Sequence, residues 1–183
     1  MRFALFSALL FAATAAVAAP LTIDYPKSSV TFVSKQMNVP TPGRFKKFTA
    51  AIEFDPAKLD TSKATLELDT GSIDAGSAEG TEEAIGKAWL HAAKFPKATF
   101  TSTGVKSLGG DRFEISGQLT IKGKTLPVTA PFTVKTQGDR QVYEGAFLIK
   151  RLDFGIGDGP WNDPDTVANE VQVKFRILAA PGK

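Results

Sequence analysis

The sequence predicts an all-β fold of about eight antiparallel strands, with one short helical insertion near residues 81–92. Three observations carry this. Apolar and polar residues alternate with period two through most of the chain, the pattern of strands with one buried face. Glycine-bearing turns such as Lys122-Gly123-Lys124 and Gln137-Gly138-Asp139 separate the alternating runs, as hairpins require. The chain has fourteen phenylalanines and no cysteine, so burial rather than disulfides must hold it together.

Taken in order, Val30 and Phe32 mark a first strand near 29–36. Phe48, Ala50, Ile52 and Phe54 mark a second near 46–54, before Asp55-Pro56. Leu66 and Leu68 place a third near 64–70, and Ala98-Thr99-Phe100 a fourth near 97–103. Between them Thr81 to Ala92 breaks the alternation. Thr81-Glu82-Glu83 resembles a helix start, and Ile85, Ala88, Trp89 and Ala92 follow at helical spacing. In the fifth strand, near 111–122, Phe113, Ile115, Gly117, Leu119 and Ile121 share one face. Leu126, Val128, Ala130, Phe132 and Val134 do so in a sixth, near 125–135. Tyr143, Gly145, Phe147 and Ile149 continue the buried face near 141–151, and Val171, Val173, Phe175 and Ile177 near 169–178. No internal repeat or second-domain linker interrupts the series.

The N-terminus has the order of a secretory signal. Arg2 is followed by an uncharged run from Phe3 to Val17 and by small residues before Pro20. The run is shorter than the ~20 residues that span a bilayer. Ala16-Val17-Ala18 places cleavage after Ala18, which gives a signal peptide at 1–18 and one domain at 19–183. An exported, Cys-free, Ala/Lys-rich chain of this kind is expected in a bacterial periplasm. Arg2 is the signal's only charge, so the net charge of +3 falls to +2 on cleavage. That is too small and too evenly spread for a nucleic-acid partner.

Catalytic and metal chemistry find little support. His91 is the only histidine, whereas a triad or a His-based metal site needs more partners. Gly155-Ile156-Gly157-Asp158-Gly159 superficially resembles a dinucleotide loop, but Pro160-Trp161-Asn162-Asp163-Pro164 cannot open the required helix. The segment reads as a mobile loop with Trp161 as a candidate lid. Asp158, Asp163 and Asp165 fit no calcium-loop spacing. No cofactor and no metal are expected.

Eight half-apolar strands need either two stacked sheets or one closed sheet, and alternation alone does not choose. Three ordered stretches do: Phe95-Pro96-Lys97-Ala98-Thr99-Phe100, Gly117 to Thr125, and Arg151-Leu152-Asp153-Phe154-Gly155-Ile156-Gly157. With Gly43-Arg44-Phe45 before the second strand, they make the mature chain resemble the YceI-like family of bacterial periplasmic proteins. The resemblance implies a lipocalin-like, eight-stranded antiparallel barrel whose long apolar cavity binds polyisoprenoid or other amphiphilic chains. Two places depart from the family pattern. Lys27 stands where a histidine is usual, and Trp89-Leu90-His91-Ala92-Ala93 replaces a stretch richer in Phe and Asp.

The residues expected to contact such a ligand are Phe32, Phe54, Phe100, Leu119, Phe132, Phe147, Ile149, Arg151, Asp153, Phe154 and Trp161. Arg151 and Asp153 continue the inward phase of Phe147 and Ile149, so a pair between them closing the barrel end is one expectation and a head-group contact the other. The implied function is a periplasmic carrier for an isoprenoid-type lipid, such as a quinone or its precursor. A membrane redox or lipid-biosynthesis protein would be its partner, and the carrier would be a monomer or homodimer. The alternatives are a small lipid-modifying periplasmic enzyme and a stress-related structural or interaction protein with a filled core.

Overall fold

A computed structural model describes residues 21–182; the expected signal peptide at 1–18 lies outside the described residues. The strands are β1 (Thr22–Ile23), β2 (Ser29–Gln36), β3 (Val39–Phe45), β4 (Phe48–Glu53), β5 (Lys63–Asp69) and β6 (Ile73–Asp74). Helix α1 (Ala78–Ile85) follows. Then come β7 (Lys97–Gly109), β8 (Arg112–Ile121), β9 (Lys124–Gln137), β10 (Arg140–Lys150) and β11 (Glu170–Ala180). They form one sheet in the order β4-β5-β7-β8-β9-β10-β11-β2-β3-β6, with β1 also on β11. Every pairing is antiparallel. A single curled sheet, rather than two stacked ones, is therefore the solution that buries the apolar face.

The ladder does not run fully around, and the gap at β4 is bridged by the N-terminal segment. While β1 pairs with β11, the Leu21 amide donates to Ile52 O at 3.0 Å and the Ala50 amide to the Tyr25 hydroxyl at 3.3 Å. The Tyr25 and Phe48 rings meet edge-on, 5.6 Å apart. An otherwise open edge is thus covered.

Most expected strands appear within a few residues of their expected bounds. β3 is the main addition. Pro40 and Pro42 hide it, because proline cannot donate to a ladder on both sides. Here β3 pairs with β2 along its length and with β6 only at Arg44 and Phe45, so both prolines face an unpaired edge. Pro127 and Pro131 are tolerated in β9 for the same reason, since the β9–β10 ladder begins only at Phe132↔Gly145.

The helix is displaced from its expected place near 81–92. It starts at Ala78, capped by Ser77 Oγ accepting from the Gly80 amide at 3.0 Å, and stops at Ile85 before Gly86. Ser77 is the better N-cap, and glycine ends the propagation that the apolar spacing of Ala88, Trp89 and Ala92 suggested. Those residues instead form tight turns, with Trp89 N donating to Gly86 O at 3.1 Å.

Three glycines shape the inner wall. A Cβ at Gly43 would lie 2.1 Å from Phe32 Cζ, one at Gly117 2.4 Å from Phe100 Cε2, and one at Gly145 2.5 Å from Phe175 Cζ. Each glycine lets a neighbouring strand's phenylalanine lie flat across it. The rings line the wall, and the space in front of them stays open.

Candidate functional site

The curled sheet encloses a cavity of about 660 Å³, lined from β2, β3, β4, β5 and β7 to β11. That volume lies within the ~300–1,000 Å³ of ordinary ligand sites. Its wall is overwhelmingly apolar, and the phenylalanines ring it instead of filling it. One end is closed by an aromatic cluster. The Phe54 ring sits edge-on to Phe113 at 5.1 Å, Tyr143 at 5.6 Å and Phe132 at 6.1 Å. Burial pushes the Tyr143 hydroxyl well above its ordinary value, so it stays a neutral donor, 2.5 Å from Gln141 Oε1. Beside this cluster the wall carries the ion pair Lys63–Glu53 at 3.2 Å.

The other end is the mouth, where the wall carries exposed Gln36, Ser77, Glu79 and Glu83 with Thr41 and Trp161. The chain from Arg151 to Ala168 folds over it. Arg151 organises this loop. The residue is 1% exposed, and its five N–H donors are all used on backbone carbonyls. Nε donates to Ala168 O at 3.1 Å, Nη1 to Ile156 O at 2.9 Å and Gly157 O at 3.0 Å, and Nη2 to Trp161 O and Val167 O, both at 2.7 Å. Gly157 is required here, since a Cβ would lie 2.3 Å from Arg151 Nη1. Burial lowers the guanidinium's pKa, but the full set of acceptors holds the charge in place.

The expected pair with Asp153 does not form. The β10 strand ends at Lys150, and Arg151 to Phe154 make a 3₁₀ turn. That turn breaks the period-two phase and leaves Asp153 exposed. Phe154, 2% exposed, packs in the apolar core and not on the cavity wall. The other nine expected contact residues, Phe32, Phe54, Phe100, Leu119, Phe132, Phe147, Ile149, Arg151 and Trp161, all lie on the wall. Lys27 lies off the wall, exposed; its amide donates to Asp24 O at 3.1 Å and its carbonyl accepts from Arg176 Nη1 at 2.8 Å.

Trp161 closes over the mouth. Its Nε1 donates to Glu83 Oε1 of α1 at 3.0 Å, and its ring lies 5.6 Å from Trp89. Arg151 stacks on the other partner, its Cζ 5.6 Å from the Trp89 ring. Lys122 Nζ pins the same region by donating to Gly155 O at 2.6 Å and Ala88 O at 3.2 Å. Asp163 caps the loop, accepting from the Asp165 amide at 3.0 Å and Thr166 Oγ1 at 2.9 Å. These bonds hold its carboxyl below the usual range.

Sequence reasoning missed Trp89, Glu83, Gln36 and Thr41, which come to the cavity wall from β2, β3, α1 and the turns after it. A signal existed only for Trp89, and it was absorbed into the expected helix. The buried Trp89 Nε1 has no hydrogen-bond partner among the described residues.

The YceI-like domain model matches residues 21–179. A UPF0312 protein of Azotobacter vinelandii is 39% identical over 120 residues, 62% of each chain. The crystal structure of Burkholderia cenocepacia BcnA shares 45% identity and a TM-score of 0.84, over 87% of this chain and all of that one. A polyisoprenoid binding domain from Saccharophagus degradans, implicated in plant cell wall breakdown, shares 17% identity and a TM-score of 0.69 over 90% and 99% of the two chains. Fold, glycine-backed wall and matched residues lead to one conclusion: the chain belongs to the YceI-like domain family.

Proposed function

We propose that this protein is a periplasmic carrier that holds a polyisoprenoid or similar amphiphilic lipid in its cavity and catalyses no step on it. The observation that carries the reading is the phenylalanine-ringed, apolar cavity of about 660 Å³. A hydrocarbon tail gains about 25 cal/mol for each Å² it hides there. The name of the Saccharophagus degradans relative supports the same ligand class. The mouth argues for an uncharged head group such as a quinone or an alcohol. Of the cations on the wall, Arg151 has no donor free and Lys63 is paired with Glu53. The acids Glu79 and Glu83 at the rim would repel a phosphate.

Native mass spectrometry of detergent-free protein, followed by solvent extraction, tests this. A co-purifying isoprenoid, or stoichiometric uptake of added polyprenol, is expected. Empty protein from several growth conditions that also takes up no polyprenol overturns the reading. Export rests on the order of residues 1–18, and N-terminal sequencing of the protein from cells should begin at Ala19.

A further inference from the structure

We infer that the β2–β3 hairpin tip is a membrane-docking element that seats the cavity mouth on a lipid bilayer; this rests on the lipid-carrier reading. The tip carries the two most exposed large apolar side chains among the described residues, Met37 at 71% and Val39 at 63%. Exposed Pro40 follows. A single exposed apolar residue means little, but an apolar tip at a lipid-sized opening is a candidate contact surface.

Its position is specific. Val39 continues the inward-facing row of Phe45, Gly43 and Thr41 one step past the polar rim, where it stands uncovered beside the mouth. The partner row ends at Gln36, which lines the mouth and is bridged to Val167 of the lid loop. The Met37 amide donates to Thr166 O at 2.9 Å and the Ala168 amide to Lys35 O at 2.9 Å. The tip and the loop bearing Trp161 are thus tied together, and a surface that captures one also holds the other.

The residue choice works against the turn itself. Met37 and Asn38 have φ values of 48° and 64°, the left-handed pair of a two-residue hairpin that favours Asn and Gly. Asparagine fits; methionine at the first position is strained without touching the core. Strain kept in an exposed side chain points to a use outside the folded chain. Apolar insertion from a small tip suits an interfacial contact that salt hardly weakens.

Flotation with phosphatidylcholine vesicles tests the proposal, using wild type, the double variant M37N/V39T and the control L148T. Asparagine relieves the turn and threonine keeps β propensity, so the double variant should fold. Leu148 is 59% exposed on the outer wall. Wild type and L148T should float alike, insensitive to salt, and M37N/V39T should bind roughly tenfold more weakly. Polyprenol uptake from ethanol should be equal in all three. Equal flotation of the double variant, or no flotation of wild type, overturns docking. So does a tip-dependent dimer in gel filtration without vesicle binding. If flotation depends on the tip but no protein takes up polyprenol, the carrier reading fails and the docking contact stands.

Discussion

Replacing Arg151 by methionine gives the sharpest test of how the lid is built. Methionine keeps most of the volume and removes all five donors, so the carbonyls of Ile156, Gly157, Trp161, Val167 and Ala168 lose their partner together. An unsatisfied buried acceptor costs about 1–3 kcal/mol. The Ile156, Gly157 and Val167 bonds are the buried ones, and the two outer carbonyls can turn to water. Local loosening recovers part of the gross loss, so a net destabilisation of about 3–5 kcal/mol is expected, a fall in Tm of roughly 10 °C for a domain of this size. Arg151→Lys, with three donors and no fork, should fall between. Urea unfolding gives the energies, and amide exchange across residues 156–168 should accelerate first. A loss below about 1 kcal/mol for Arg151→Met, as at an ordinary surface site, would refute the hub.

The wall glycines make a graded series. Gly117→Ala and Gly145→Ala place Cβ 2.5 and 2.6 Å from the fixed carbonyls of Thr101 and Pro131, whereas Gly43→Ala meets only the Phe32 ring. The first two should lose about 2–3 kcal/mol in chemical denaturation and Gly43→Ala about 1 kcal/mol; equal losses would count against the carbonyl contacts. Val128 lines the cavity and is half-buried. Val128→Trp should cut polyprenol uptake at least about tenfold while costing about 1–3 kcal/mol, and unchanged uptake would place the ligand elsewhere. Asp163 has a folded pKa below its ordinary 3.8. Its contribution is therefore present above that value and lost as pH falls through the lower, folded one. Trp161 fluorescence should report loop loosening in acid for wild type and at all pH values for Asp163→Ala; identical pH profiles would exclude Asp163 as the cap.

Strands with unbroken alternation were legible in the sequence because period two is a local property. A face that repeats from Phe113 to Ile121 can be buried in only one way whatever packs on it. Seven of the nine anticipated wall residues, all but Arg151 and Trp161, follow from the same parity. Where the chain leaves that parity, local reading fails. Arg151 looked inward-facing beside Asp153, but the strand ends one residue earlier, and the 3₁₀ turn sends one side chain into the loop's carbonyls and the other to solvent. β3 was hidden because the tolerance of Pro40 and Pro42 depends on which neighbouring edge is empty, a fact about the sheet and not the segment.

What the sequence by itself determined was the all-β class, the apolar interior and the presence of a short helix before β7, since these rest on periodicity and composition. Only the tertiary structure decided that the sheet is one curl bridged by Leu21 to Tyr25, that glycines hold the phenylalanines back from the cavity, and that Trp161, Glu83, Trp89 and Gln36 form the mouth. Each of these depends on contacts between residues far apart in the chain, which close approach and shared hydrogen bonds select and no local pattern records.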